Sequence, residues 1–70
     1  MARDFAVRFY NSAAWARCRA AYALSVFGLC ERCGEAGVEV HHKVYLTPEN
    51  IDYPPITLGW DNLELLCLPQ

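Results

Sequence analysis

The segment CERCGEAGVEVHHKVY, residues 30–45, decides how the whole chain is read. It opens on Cys30 and Cys33, with two residues between them and Gly34 directly after. Two thiolates at that spacing form half of a tetrahedral zinc site, and the glycine permits the turn that aims both sulfurs inward. A redox pair or a pair of plain buried thiols would use the same residues, although no βαβ pattern surrounds them here. From Val38 to Tyr45 the segment first alternates apolar and polar residues and is rich in Val and Tyr, which predicts a strand over about 38–45. His41 and His42 are neighbours on that strand and so point to opposite faces. One can bind a metal while the other, with an unperturbed pKa of about 6.5, accepts a proton from water. A pair of solvated histidines on a surface strand has the same pattern.

Toward the N-terminus, Trp15, Cys18, Tyr22 and Val26 recur at spacings of three and four and share one stripe of a helix over about 12–27. Asn11 or Ser12 caps its start, a run of alanines supplies propensity, and Gly28 takes the left-handed position after its end. Arg17 and Arg19 fall off the stripe and face water, while Phe5, Phe9 and Tyr10 pack back on the helix. Cys18 lies on the stripe and reads as a core residue, with a reserve role as a fourth metal ligand. Toward the C-terminus, residues 46–60 form a long loop. Thr47-Pro48-Glu49-Asn50 reads as a capped single helical turn, and Pro54-Pro55 predicts no regular structure. Asn62-Leu63-Glu64-Leu65-Leu66 reads as a return strand over about 62–66 that ends at Cys67 and brings back a third thiolate.

Composition sets the bounds. Seventy residues make one domain, 1–70, which at this size buries only about 60% of its unfolded surface and calls for a metal, a disulfide or a partner chain. Apolar residues are 54%, charged residues 20% and the net charge is -2, which excludes a disordered chain and a basic tail. The absence of a long apolar run predicts no transmembrane span, and the charged start predicts no signal peptide. The expected setting is the reducing cytoplasm, where closely spaced cysteines serve metals more often than disulfides.

In order and spacing, these pieces resemble the HNH endonuclease family, in its small phage or prophage form. The resemblance rests on Phe9-Tyr10-Asn11-Ser12-x-x-Trp15, Cys30-Glu31-Arg32-Cys33-Gly34, Val40-His41-His42-Lys43, Leu46-Thr47-Pro48-Glu49-Asn50 and Trp60-Asp61-Asn62-Leu63-x-Leu65-Leu66-Cys67. It implies an α+β chain: an N-terminal helix, a zinc knuckle over 30–34 and the β-hairpin of a ββα-metal fold. It implies that His42 is the general base, that His41 is a ligand of the catalytic divalent metal, and that Asn62 braces the loop and orients the base. It implies that Cys30, Cys33 and Cys67 are three of four ligands of a structural Zn²⁺, with Mg²⁺ or another divalent metal at the catalytic position. The implied activity is hydrolysis of DNA phosphodiester bonds, and the implied setting is a bacterial host. Phage packaging machinery is an implied partner, since such nucleases are often encoded beside packaging genes.

The sequence also departs from the family. Members continue beyond the position of Cys67 with x-x-Cys-His and a final helix, whereas Leu68-Pro69-Gln70 stands here and Gln70 occupies the place of the second thiolate. The expectation is a fold without its final helix, from a truncated reading frame or a fragment, with weaker metal sites and an apolar face that favours self-association or a partner chain. Basic residues are few: Arg8, Arg17 and Arg19 make at most a small patch for phosphate. The competing function is a zinc-binding module that grips nucleic acid or protein without cutting.

Overall fold

Residues 4–67 are described by the structure, a computed structural model. Two helices open the chain, α1 over Asp4–Tyr10 and α2 over Ala13–Ser25. Ser12 joins them. Its hydroxyl donates to the Phe9 carbonyl at 2.6 Å and accepts the Trp15 N–H at 3.2 Å, which caps α2. At the other end of α2, Gly28 has φ +67° and returns its N–H to the Ala23 carbonyl at 2.8 Å, as a left-handed cap requires. Phe27 before it is also left-handed at φ 60° and is 84% exposed.

A turn through the knuckle, closed by an isolated bridge between Leu29 and Ala36, leads into β1, Glu39–His42. β1 pairs antiparallel with β2, Leu63–Leu66, in a two-stranded sheet. Between the strands lie a short helix α3, Pro54–Thr57, and a single 3₁₀ turn, Trp60–Asn62. The core forms where α2 crosses the sheet: Trp15, Tyr22, Leu63 and Leu65 are buried together, with Phe9, Cys18, Val26, Val40 and Leu58 packed around them. A fully buried leucine such as Leu63 contributes roughly 2 kcal/mol to folding. Among the described residues no helix is long and apolar enough to cross a membrane.

Three local expectations differ from what is observed. β1 ends at His42 rather than running to Tyr45: Lys43 N–H still reaches the Asn62 carbonyl, but the partner strand gives way there to the 3₁₀ turn, and the Val44 N–H goes to the Asn62 side chain instead of to backbone. Pro54 and Pro55 open a helix instead of excluding one, since proline in a first turn gives up only an N–H that has no helical partner. Thr47 and Asn50 bond each other reciprocally, Thr47 N–H to Asn50 Oδ1 at 2.8 Å and Asn50 N–H to Thr47 Oγ1 at 3.2 Å, and close a turn rather than a helix. The expectations for Leu68, Pro69 and Gln70 lie outside the described residues.

Candidate functional site

At one end of the hairpin the knuckle turn presents its sulfurs. Gly34, at φ +81°, sends its N–H to the Cys30 carbonyl at 2.9 Å and lets the chain reverse. Cys67 arrives from the end of β2, and the Sγ atoms of Cys30, Cys33 and Cys67 all lie within 4.8 Å of one another. Cys33 and Cys67 are 3.4 Å apart, and no cysteine is in a disulfide. The backbone N–H groups of Arg32 and Cys33 point at the Cys30 sulfur and hold its pKa down to about 6, against the effect of burial. Hydrogen bonding to Cys33 and Cys30 keeps the proton on Cys67 and raises its pKa. Three convergent sulfurs, one of them poised as thiolate, are a donor set that fits a zinc-type cation. Cys18 stands apart, its thiol donating to the Leu58 carbonyl at 3.4 Å.

The histidines sit at the other end, on opposite faces as alternation demands. His42 turns into the core. Its ring stacks on Trp15 at 4.8 Å, with Phe9 at 6.0 Å and Tyr10 at 6.2 Å. Its Nε2 lies 2.8 Å from the Thr57 carbonyl. A carbonyl only accepts, so Nε2 carries the proton and Nδ1 of the neutral ring is an acceptor. Burial pushes the His42 pKa below its ordinary value; the Thr57 contact opposes this and the neighbouring His41 adds to it. His41 faces the other way. Its Nε2 is buried without a hydrogen-bond partner and lies 3.8 Å from Glu39 Oε2. An imidazole nitrogen without a hydrogen-bond partner suits a cation.

Asn62 binds the loop to the hairpin. Its Oδ1 accepts the Val44 N–H at 2.7 Å, while Nδ2 donates to the Val44 carbonyl at 3.2 Å and the Ile56 carbonyl at 2.9 Å. Ile56 precedes Thr57, so the segment that Asn62 holds is the one that anchors His42. Trp15 and Thr57 were missed as neighbours of His42. Trp15 carries a helix-stripe signal indistinguishable from core, and Thr57 acts through its carbonyl, which has no sequence signature. Arg8, Arg17, Arg19 and Lys43 are exposed, whereas Arg32 is committed to Glu64 through two contacts of 3.2 Å.

No protein-family model matches the chain. A curated protein of Lactococcus phage SK1, named "Probable HNH endonuclease", is 42% identical over 62 residues that cover 84% of this chain and 66% of its own length. The crystal structure of the HNH endonuclease of the deep-sea thermophilic bacteriophage GVE2, with manganese ion, superposes with a TM-score of 0.72 at 33% identity, covering 91% of this chain and 71% of that one. The chain belongs to the HNH endonuclease family. It spans about two thirds of the Lactococcus phage protein. As an HNH chain it has a mixed architecture of helices and one small antiparallel sheet, with thiols gathered at one end of the hairpin and the histidine pair at the other.

Proposed function

We propose that this chain is a metal-dependent endonuclease domain that hydrolyses DNA phosphodiester bonds, with His42 as the general base. The observation that carries this reading is the anchoring of His42 by Nε2 on the Thr57 carbonyl, which leaves Nδ1 as the proton acceptor. In this scheme Nδ1 takes the proton of the attacking water. Trp15 holds the ring plane, and Asn62 holds the loop that carries Thr57. His41 Nε2 would bind a divalent cation such as Mg²⁺ or Mn²⁺, with its unpartnered nitrogen as support. When bound, that ion supplies charge stabilisation to the phosphate and the leaving oxygen. Cys30, Cys33 and Cys67 would hold a separate structural zinc. Exposed Lys43, next to His42, is placed to meet a phosphate. DNA in the cytoplasm of a bacterial host is the substrate we infer, since both relatives are phage proteins.

A second reading, a zinc-containing module that binds without cutting, is favoured by one observation: His42 is only 8% exposed, and a base must meet water. Plasmid nicking with Mg²⁺ or Mn²⁺ separates the two. The nuclease reading expects cleavage that drops by about a hundredfold or more in His42→Ala. Equal cleavage by both proteins removes His42 from the mechanism. No cleavage by the folded, metal-loaded chain leaves the binding module.

A further inference from the structure

Among the described residues β2 has a strand on one side only. Val38 N–H bonds the Leu66 carbonyl and Lys43 N–H bonds the Asn62 carbonyl, so the even-numbered residues of this strand face β1. Alternation then turns the peptide groups of Leu63 and Leu65 to the free edge. Among the described residues no strand meets them there. The Leu65 N–H donates instead to Glu31 Oε2 at 2.7 Å, and the Leu65 carbonyl accepts the Glu31 N–H at 2.9 Å. One residue thus offers Leu65 both an acceptor and a donor, as a paired strand residue would. Tyr22, buried in the core, shares its hydroxyl proton between Glu31 Oε2 at 2.6 Å and the Leu63 carbonyl at 2.9 Å, so the carboxylate is itself held from the helix side.

Glu31 stands between Cys30 and Cys33, and Leu65 stands two residues before Cys67. We propose that Glu31 is the positioning residue of the thiol cluster: its clamp on Leu65 seats the knuckle turn against β2, so that Cys67 meets Cys30 and Cys33 before any metal binds. This rests on the reading of the three thiols as a metal centre. Cys67 is distant from the knuckle in sequence, and bringing it back costs ordering entropy. A clamp made of the chain's own hydrogen bonds meets that cost during folding and leaves the metal a formed site.

The test uses the full chain with Co²⁺ as the probe, read by its thiolate-to-metal charge-transfer absorption and by competition with Zn²⁺. Glu31→Ala is expected to weaken Co²⁺ binding by about tenfold or more, the size typical for residues that orient metal ligands. Glu31→Gln, which keeps an acceptor oxygen for the Leu65 N–H, recovers part of that loss, and it carries the comparison by itself if Glu31→Ala does not fold. Hydrogen exchange on the metal-free protein gives an independent readout: the Leu65 amide is protected in the wild type, exchanges at least tenfold faster in Glu31→Ala, and is intermediate but measurably faster than wild type in Glu31→Gln. Equal Co²⁺ affinity in wild type and both variants overturns the role of Glu31, as does a Leu65 amide that exchanges freely in the metal-free wild type. A wild-type chain that takes up no Co²⁺ overturns the metal-centre reading instead.

Discussion

The two ends of the hairpin hold their functional groups by different means. At the His42 end nearly everything is inside: Leu63, Asn62, Thr57 and His42 are 0%, 7%, 3% and 8% exposed. There a single side chain, Asn62, makes three hydrogen bonds to backbone, and an aromatic wall from α1 and α2 closes over the imidazole. At the thiol end Cys30 alone of the three thiols is buried, Cys33 and Glu31 face water, and the knuckle is joined to the buried Leu65 by a few hydrogen bonds across the free edge of β2. A buried network keeps its geometry unaided because water cannot compete for its partners. An exposed cluster of sulfurs with one lowered pKa gains much more from a cation.

That contrast can be broken by experiment. The largest effect is expected from stripping the metal with a chelator. If the thiols hold zinc at a free concentration a thousandfold above its Kd, removal costs about 4 kcal/mol of apparent stability. Hydrogen exchange should then show protection lost at Gly34, inside the knuckle, and kept at Val44, which Asn62 holds. Loss at both amides alike would mean that the two ends form one cooperative unit.

Asn62→Ala should act the other way round. It leaves the Val44 N–H and two carbonyls without partners and costs about 3 kcal/mol. Urea denaturation with and without Zn²⁺ checks this: the loss should be equal in both, because Asn62 lies outside the knuckle. A loss that vanishes when zinc is present would join the two ends again. The smallest effect is expected from Arg32→Ala. Its pair with Glu64 is solvent-exposed, so the thermal midpoint should stay within measurement error, and a clear drop would show that the thiol end depends on its salt bridge as well as on Glu31.

Much of this was legible in the chain. The Ser12 cap, the Gly28 stop and the split of His41 and His42 between two faces follow from rules that act over a few residues. So does the reading of Cys30-x-x-Cys33 as half a site, whereas the arrival of Cys67 beside it depends on the pairing of β2 with β1. Other features were not. α1 is a helix of seven residues, with Ala6 as its buried residue and Phe9 against Trp15, and packing of that kind leaves a weak periodic signal. Pro54-Pro55 reads as a breaker or as a helix start with equal ease until the position of the next turn is known. Glu31 looks like the variable filler of a knuckle, and only the path of β2 makes it a clamp.

By itself, the sequence determined the inventory: one small α+β unit, three sulfurs with metal spacing, two histidines on opposite faces and an asparagine next to the return strand, which the structure places in the 3₁₀ turn just before it. Tertiary structure decided which of these groups are buried and what each one faces. It set His42 under Trp15 with its Nε2 on the Thr57 carbonyl, left His41 Nε2 without a hydrogen-bond partner, and turned the free edge of β2 toward Glu31. The physical reason is range. Capping, turn conformation and strand alternation are settled by neighbours in the chain, whereas burial, ring stacking and strand-edge hydrogen bonds join residues distant in sequence and exist only once the helix has packed on the hairpin.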